Sequence, residues 1–111
     1  MTIQELSRQY HIGIDKLQYF CDNHFIKEEQ KYSDESIKRL SLMCTLYDTG
    51  MRAKTIKRFL SLANDENYSE QAKLLSMHRY NLLDDIHEKQ KALDQLDYMV
   101  HEIKNRRRNI Q

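Results

Sequence analysis

Residues 11–20, HIGIDKLQYF, decide how this chain is read. Ile14, Leu17, Phe20 and Cys21 recur at spacings of three, six and seven, the apolar stripe of a short helix. Lys16, Gln18 and Tyr19 stand on the same helix away from that stripe. Upstream, Thr2-Ile3-Gln4-Glu5 is a capping box, with a Thr able to accept from first-turn N–H groups and a Glu three residues on. Ile3 and Leu6 give this first helix its apolar side, and it ends near Tyr10. Gly13 permits the turn that follows. Two short helices joined by about four residues containing a Gly form a helix-turn-helix pattern, with Ile12, Leu17 and Phe20 serving its core.

Downstream the period changes. FIKEEQKY (25–32) alternates weakly, with Phe25 and Ile26 at one end and Tyr32 at the other, and suits a small hairpin or a loop. Ser33 reads as an N-cap, followed by Asp34 and Glu35 where the helix dipole favours acids. Ile37, Leu40, Met43, Cys44 and Tyr47 continue a helical stripe up to Gly50, placed as a helix-ending residue. Met51, Ile56, Phe59 and Leu60 make a fourth short helix. NDENY (64–68) is polar, and Ser69 opens the last helix.

That last helix is expected from Ser69 to about Asn105, without Gly or Pro. At 1.5 Å per residue it spans roughly 55 Å, more than the diameter of a sixty-residue domain. Its heptad a positions are Ala72, Arg79, Ile86, Leu93 and Val100; its d positions are Leu75, Leu82, Lys89, Leu96 and Ile103. Leu74, Met77 and Leu83 widen the stripe in the first half, and the second half narrows to a seam for one partner helix. A lone helix with such a seam is not stable in water, so the sequence predicts a homodimer. The dimerisation residues are Leu75, Leu82, Ile86, Leu93, Leu96, Val100 and Ile103.

Length and composition agree with this organisation. The chain has 111 residues, enough for one compact domain and an accessory element. Charged residues make up 32% and apolar residues 40%, with no Pro, two Gly and no Trp, a balance that favours a mostly helical protein. The net charge of +1 gives no bulk signal for nucleic acid, and the slight basic excess lies in the first half. The opening MTIQELSRQY has no signal-peptide pattern, and no apolar stretch approaches a membrane span. Cys21 and Cys44 form no CxxC pair, so a reduced, cytoplasmic protein without membrane association is expected.

Chemistry-bearing motifs are few. There is no Gly-rich phosphate loop, nucleophile motif or HExxH, which argues against an enzyme. Cys21-x-x-His24 has a metal-like spacing with Cys44 as a conceivable third ligand, but a fourth is missing, and both cysteines fall on apolar faces. No metal or cofactor is expected. The basic residues are more informative. Lys16 lies near the start of the second helix, the one that enters the major groove in a helix-turn-helix. Arg52 and Lys54 stand at the start of the fourth helix, where the macrodipole disfavours each cation by about 0.3–1 kcal/mol. An anion such as a phosphate nearby would account for them; ordinary solvated charges would as well.

The order of these elements resembles the MerR family of bacterial transcription regulators. TIQELSRQYHIGIDKLQYFCDNHFI (2–26) is similar to the family's opening, a Thr-Ile-x-Glu-Leu start, a Gly or small-residue turn, then Leu-Arg-Tyr-Tyr and Gly-Leu-Ile. YSDESIKRLSLMCTLYDTGMRAKTIKRFL (32–60) is similar to the stretch after its wing, with Tyr32, Ile37, Leu40, Leu46, Gly50, Met51 and Ile56 in register. The long helix resembles the family's dimerisation helix, which pairs antiparallel.

The resemblance implies an all-α fold with a minimal β wing: a winged helix-turn-helix head over 1–62, a linker over 63–68, and a coiled-coil dimerisation helix with a short tail over 69–111. It implies that Lys16, Gln18 and Tyr19 lie on the recognition helix, with Lys31 and Tyr32 at the end of the wing and Arg52, Lys54 and Lys57 near flanking phosphates. A homodimer would bind a pseudo-palindromic promoter operator in double-stranded DNA and occupy or distort it, with RNA polymerase as a further partner. Several residues depart from the family pattern. The family's Arg is Gln18, its second Tyr is Phe20, its wing arginine is Gln30, and the wing between Ile26 and Tyr32 is short. Each lost ionic contact flattens the salt dependence by about one counterion, which Lys31 offsets in part. No separate effector domain is expected after the helix. Two other classes fit the same residues, an excisionase-like architectural factor and a protein-interaction module that has lost DNA binding.

Overall fold

The computed structural model describes residues 1–28 and 31–110, with only the backbone for Asn109 and Ile110. The chain divides into two compact units, Met1–Asn67 and Tyr68–Gln111. The first holds four helices, α1 (Ile3–Tyr10), α2 (Ile14–Asp22), α3 (Asp34–Asp48) and α4 (Ala53–Asn64); the second is α5 (Tyr68–Ile110).

Local sequence explains the helix starts. Thr2 Oγ1 accepts from the Glu5 N–H at 3.1 Å, and Ser33 Oγ accepts from the Ser36 N–H at 3.1 Å. Both are side-chain caps for N–H groups that have no partner inside the helix. The helix ends share one device. At the close of α1, α2, α3 and α4 a residue turns left-handed, at His11 (φ 56°), His24 (φ 63°), Gly50 (φ 87°) and Glu66 (φ 54°). The next N–H then reaches back five residues: Ile12 to Ser7 O, Phe25 to Phe20 O, Met51 to Leu46 O and Asn67 to Leu62 O, at 2.9–3.3 Å. This is the Schellman closure, and only one of the four uses glycine.

The head's core is apolar throughout. Ile3 and Leu6 of α1, Leu17 and Phe20 of α2, Leu40, Met43 and Leu46 of α3, and Ala53, Ile56, Phe59 and Leu60 of α4 are buried, with Ile26 and Met51 from the connections. Phe20 is fully buried, and the rings of Tyr19, Phe25 and Tyr47 surround it with centroids 5.7–6.0 Å away.

Five local expectations are corrected. The turn between α1 and α2 is made by left-handed His11, because Gly13 has ordinary φ −58° and serves as the N-cap of α2. Ile14 is 49% exposed, outside the core; three-residue steps fall 60° short of a full turn, so Ile14 lies about 120° from Phe20. Ile12 is only half-buried. The β wing is absent among the described residues: the connection between α2 and α3 contains no strand there, and so short a hairpin would be marginal without a sheet to join. Finally, Met51 precedes α4 and Arg52 is its N-cap, so only Lys54 of the two cations lies in the first turn.

The second unit is one helix of 43 residues, beginning one residue before and ending about five after the expected bounds. None of its described residues is buried. The seam side chains Leu75, Leu82, Ile86, Leu93, Leu96, Val100 and Ile103 are 37–62% exposed.

Candidate nucleic-acid interface

Tyr19 links two elements. Its ring stacks at a tilt on Tyr47 with centroids 5.0 Å apart, and its Oη accepts from the Ala53 N–H at 2.9 Å. Ala53 is the first residue of α4, and its N–H is one of those a helix cannot satisfy internally. Arg52 supplies no side-chain cap, so the cap comes from α2 instead. The phenol has accepted one bond, and its proton remains for an acceptor outside. Tyr19, Tyr47, Asp48, Gly50, Met51 and Arg52 line a shallow cleft at this junction.

Lys16 reaches the same place. Its ammonium pairs with the Asp48 carboxylate and lies 5.7 Å from the centre of the Tyr47 ring. Its side chain is only 22% exposed, while that of Asp48 is 60% exposed. Asp48 closes α3, where the dipole disfavours a carboxylate, and Lys16 neutralises it. Arg52 and Lys54 present the opposite mismatch, cations at the start of α4, and both are exposed. The acid mismatch is resolved inside the head; the cationic one faces solvent and fits an anion from outside.

The remaining predicted residues fall into other groups. Gln18 is exposed on α2, its Nε2 donating to Asp22 Oδ1 at 2.8 Å. Lys57 is exposed, with its ammonium 5.3 Å from the centre of the Phe25 ring. Tyr32 is half-buried, and its hydroxyl donates to Lys27 O at 3.3 Å; burial, with Cys21 nearby, pushes this phenol's pKa up. Lys31 is exposed beside it. Gln30 lies outside the described residues. The structure thus gathers Lys16, Tyr19 and Arg52 around Tyr47 and Asp48, with Lys54 next along α4. It ties Lys57 and Tyr32 to the segment Phe25–Lys27, and leaves Gln18 on the open face of α2.

Tyr47, Asp48, Asp22 and Phe25 were missed by sequence reasoning. Asp48 alone carried a signal, an acid at the wrong end of a helix. The thiols add nothing reactive. Burial first, then the Glu28 and Asp22 carboxylates, raises the Cys21 pKa; burial also raises that of Cys44, against an opposing effect of Lys16. Thiols held protonated are poor nucleophiles and ligands. Among the described residues no group of His, Cys, Asp and Glu could hold a metal, and no helix is long and apolar enough to cross a membrane.

A family model described as MerR HTH family regulatory protein matches residues 1–63. No curated protein and no solved structure matches the chain. The matched segment holds α1 to α3 and nearly all of α4, and therefore every residue of the surface described above. It is a helix-turn-helix head of the kind that DNA-binding regulators carry, and it accounts for more than half of the sequence. The chain belongs to the MerR HTH family of regulatory proteins.

Proposed function

We propose that this protein is a homodimeric transcription regulator that binds a pseudo-palindromic promoter operator and controls access of RNA polymerase by occupying or distorting it. In this reading residues 1–62 bind DNA, 63–68 link, and 69–111 dimerise. α2 enters the major groove with Gln18 toward the base edges. Arg52 and Lys54 take a backbone phosphate at the start of α4, joined by the free proton of Tyr19. Lys31, Tyr32 and Lys57 lie toward the flanking backbone, and Lys16 stiffens the junction through Asp48. The seam of α5 joins two copies, so that two heads meet two half-sites.

The observation that carries this reading is the Ala53 N–H bond to Tyr19 Oη. It fastens the helix that would read bases to the helix terminus whose exposed cations would hold phosphate. Groove contact and backbone contact then move as one body, as recognition requires.

Selection of bound sequences from a random duplex pool, then titration of the best site at two salt concentrations, tests it. A two-fold symmetric site is expected, with affinity falling steeply as salt rises. Arg52→Ala and Lys54→Ala should each weaken binding to all sequences and reduce the salt slope by about one. A folded dimer that enriches no sequence and shows no salt-sensitive affinity would overturn the reading.

A further inference from the structure

The solvent face of α2 specifies a base, an inference that rests on the DNA-binding reading proposed above. Ile14, Gln18 and Asp22 stand four residues apart, each about 40° further around the helix, and all three are exposed. Asp15 is exposed on this face as well, but the one lysine of α2 is not part of it. Lys16 is turned away, into its pair with Asp48. The outward face of α2 therefore carries isoleucine, amide and carboxylate, and no cation. Such a face repels the phosphate backbone, which is left to Arg52, Lys54 and Lys57. Its chemistry suits base edges instead.

Gln18 and Asp22 act as one unit. Gln18 Nε2 donates to Asp22 Oδ1 at 2.8 Å, and chemistry fixes the direction, because the carboxylate of an exposed aspartate only accepts. The bond therefore orients the amide, and leaves Oε1 and one N–H open for a ligand. An acceptor beside a donor distinguishes the four bases in the major groove. Adenine presents the acceptor N7 beside the donor N6–H2 and engages both. Guanine presents two acceptors, N7 and O6, so one of them would face Oε1, with the Asp22 carboxylate adding negative charge close by. Thymine presents one acceptor and cytosine one donor, and each leaves half of the amide unused. Adenine alone matches.

We propose that Gln18 reads an adenine in each half-site of the operator, and that Asp22, acting through Gln18, is the positioning residue that excludes guanine. The terminal torsion of an untethered glutamine is broad. The bond to Asp22 narrows it before DNA arrives, so less ordering is left to the encounter. Ile14 lies one turn earlier on the same face, about 6 Å along the axis. It is 49% exposed and takes no part in the head's core, and its apolar side chain suits a thymine methyl in the neighbouring base pairs.

Sequence selection with the full chain, followed by titration of single-base variants of the selected site, tests this. Each half-site should hold one position at which adenine is strongly preferred. Replacing that adenine by 7-deazaadenine, which lacks N7, should weaken the unsubstituted chain about ten-fold and leave the Gln18→Ala chain nearly unchanged. Gln18→Arg should turn the preference at this position to guanine, whose two acceptors fit a guanidinium. Asp22→Ala should keep the adenine contact but narrow the discrimination against guanine to about three-fold or less, since the second N–H is released and the carboxylate is gone. Both positions are exposed, so each variant should stay folded, which urea denaturation verifies. Base preferences that all survive Gln18→Ala, or a Gln18-dependent position that is not adenine, would overturn the proposal and leave the regulator standing. Discrimination against guanine that survives Asp22→Ala would overturn the role of Asp22. An unsubstituted chain that enriches no sequence would overturn the regulator reading itself, and this inference with it.

Discussion

The head and the long helix differ in where their apolar surface goes. Among the described residues thirteen apolar side chains are buried, and all belong to Met1–Asn67. α5 buries none, yet it carries large apolar side chains from Tyr68 to Ile103 that are 37–69% exposed. One unit completes its core with its own residues. The other leaves its apolar stripe exposed and, on the function proposed above, would cover it with a second chain, since a single helix gains little from its own contacts. The two should therefore fail separately.

The largest effect is expected in the head. Phe20→Ala empties a fully buried site ringed by Tyr19, Phe25 and Tyr47, at a cost of about 3–5 kcal/mol, most of the stability of so small a domain. Urea denaturation should show the head unfolded or nearly so, with DNA binding lost. Leu96→Lys should do the reverse. A charge in the middle of the seam should dissociate the dimer at least a hundred-fold in sedimentation, while the head's urea midpoint stays in place. A Leu96→Lys protein whose head also unfolds would break the division between the two units.

Much of the helical organisation was legible in the sequence. The caps at Thr2 and Ser33, the stripes of α3 and α4 and the length of α5 follow from local patterns, and local patterns are read directly. The helix ends were less legible. A reader looks for glycine where the chain turns left-handed, but His11, His24 and Glu66 take that conformation here, and Gly13 does not. Of the residues gathered at the candidate site, Lys16, Tyr19 and Arg52 were named from the sequence, while Tyr47, Asp48 and the connections among them were not. Tyr19 and Lys16 were found because they lie off the apolar stripe. That one caps α4 and the other holds Asp48 depends on helices far apart in sequence, which no spacing records.

The Tyr19 link gives a sharper test, because it joins stability and binding inside the head. Tyr19→Phe keeps the ring on Tyr47 and removes the acceptor from the Ala53 N–H. The expected loss is about 1 kcal/mol in urea denaturation. DNA affinity should fall with it even where the protein remains fully folded, because α4 is no longer fastened to α2. An unchanged affinity would separate the two helices in function. His24→Gly probes a smaller quantity: relieving a left-handed histidine should stabilise the head by about 0.5–1 kcal/mol and leave dimerisation unaltered.

Arg52 offers the finest discrimination, since its position serves either the fold or a ligand. As the N-cap of α4 it contributes no side-chain bond. Tyr19 already takes the Ala53 N–H, and the Ile56 N–H bonds Arg52 O at 2.9 Å. A serine at this position could accept from Lys54 or Thr55 and would remove a cation from the positive end of the dipole. Arg52→Ser should therefore stabilise the head by about 0.5–1 kcal/mol in urea denaturation while weakening DNA several-fold and flattening its salt dependence by about one counterion. Opposite signs in the two measurements are what a residue retained for phosphate produces, since such a residue gives up stability for contact. If stability and binding fall together, Arg52 supports the head, and the phosphate must lie elsewhere along α4.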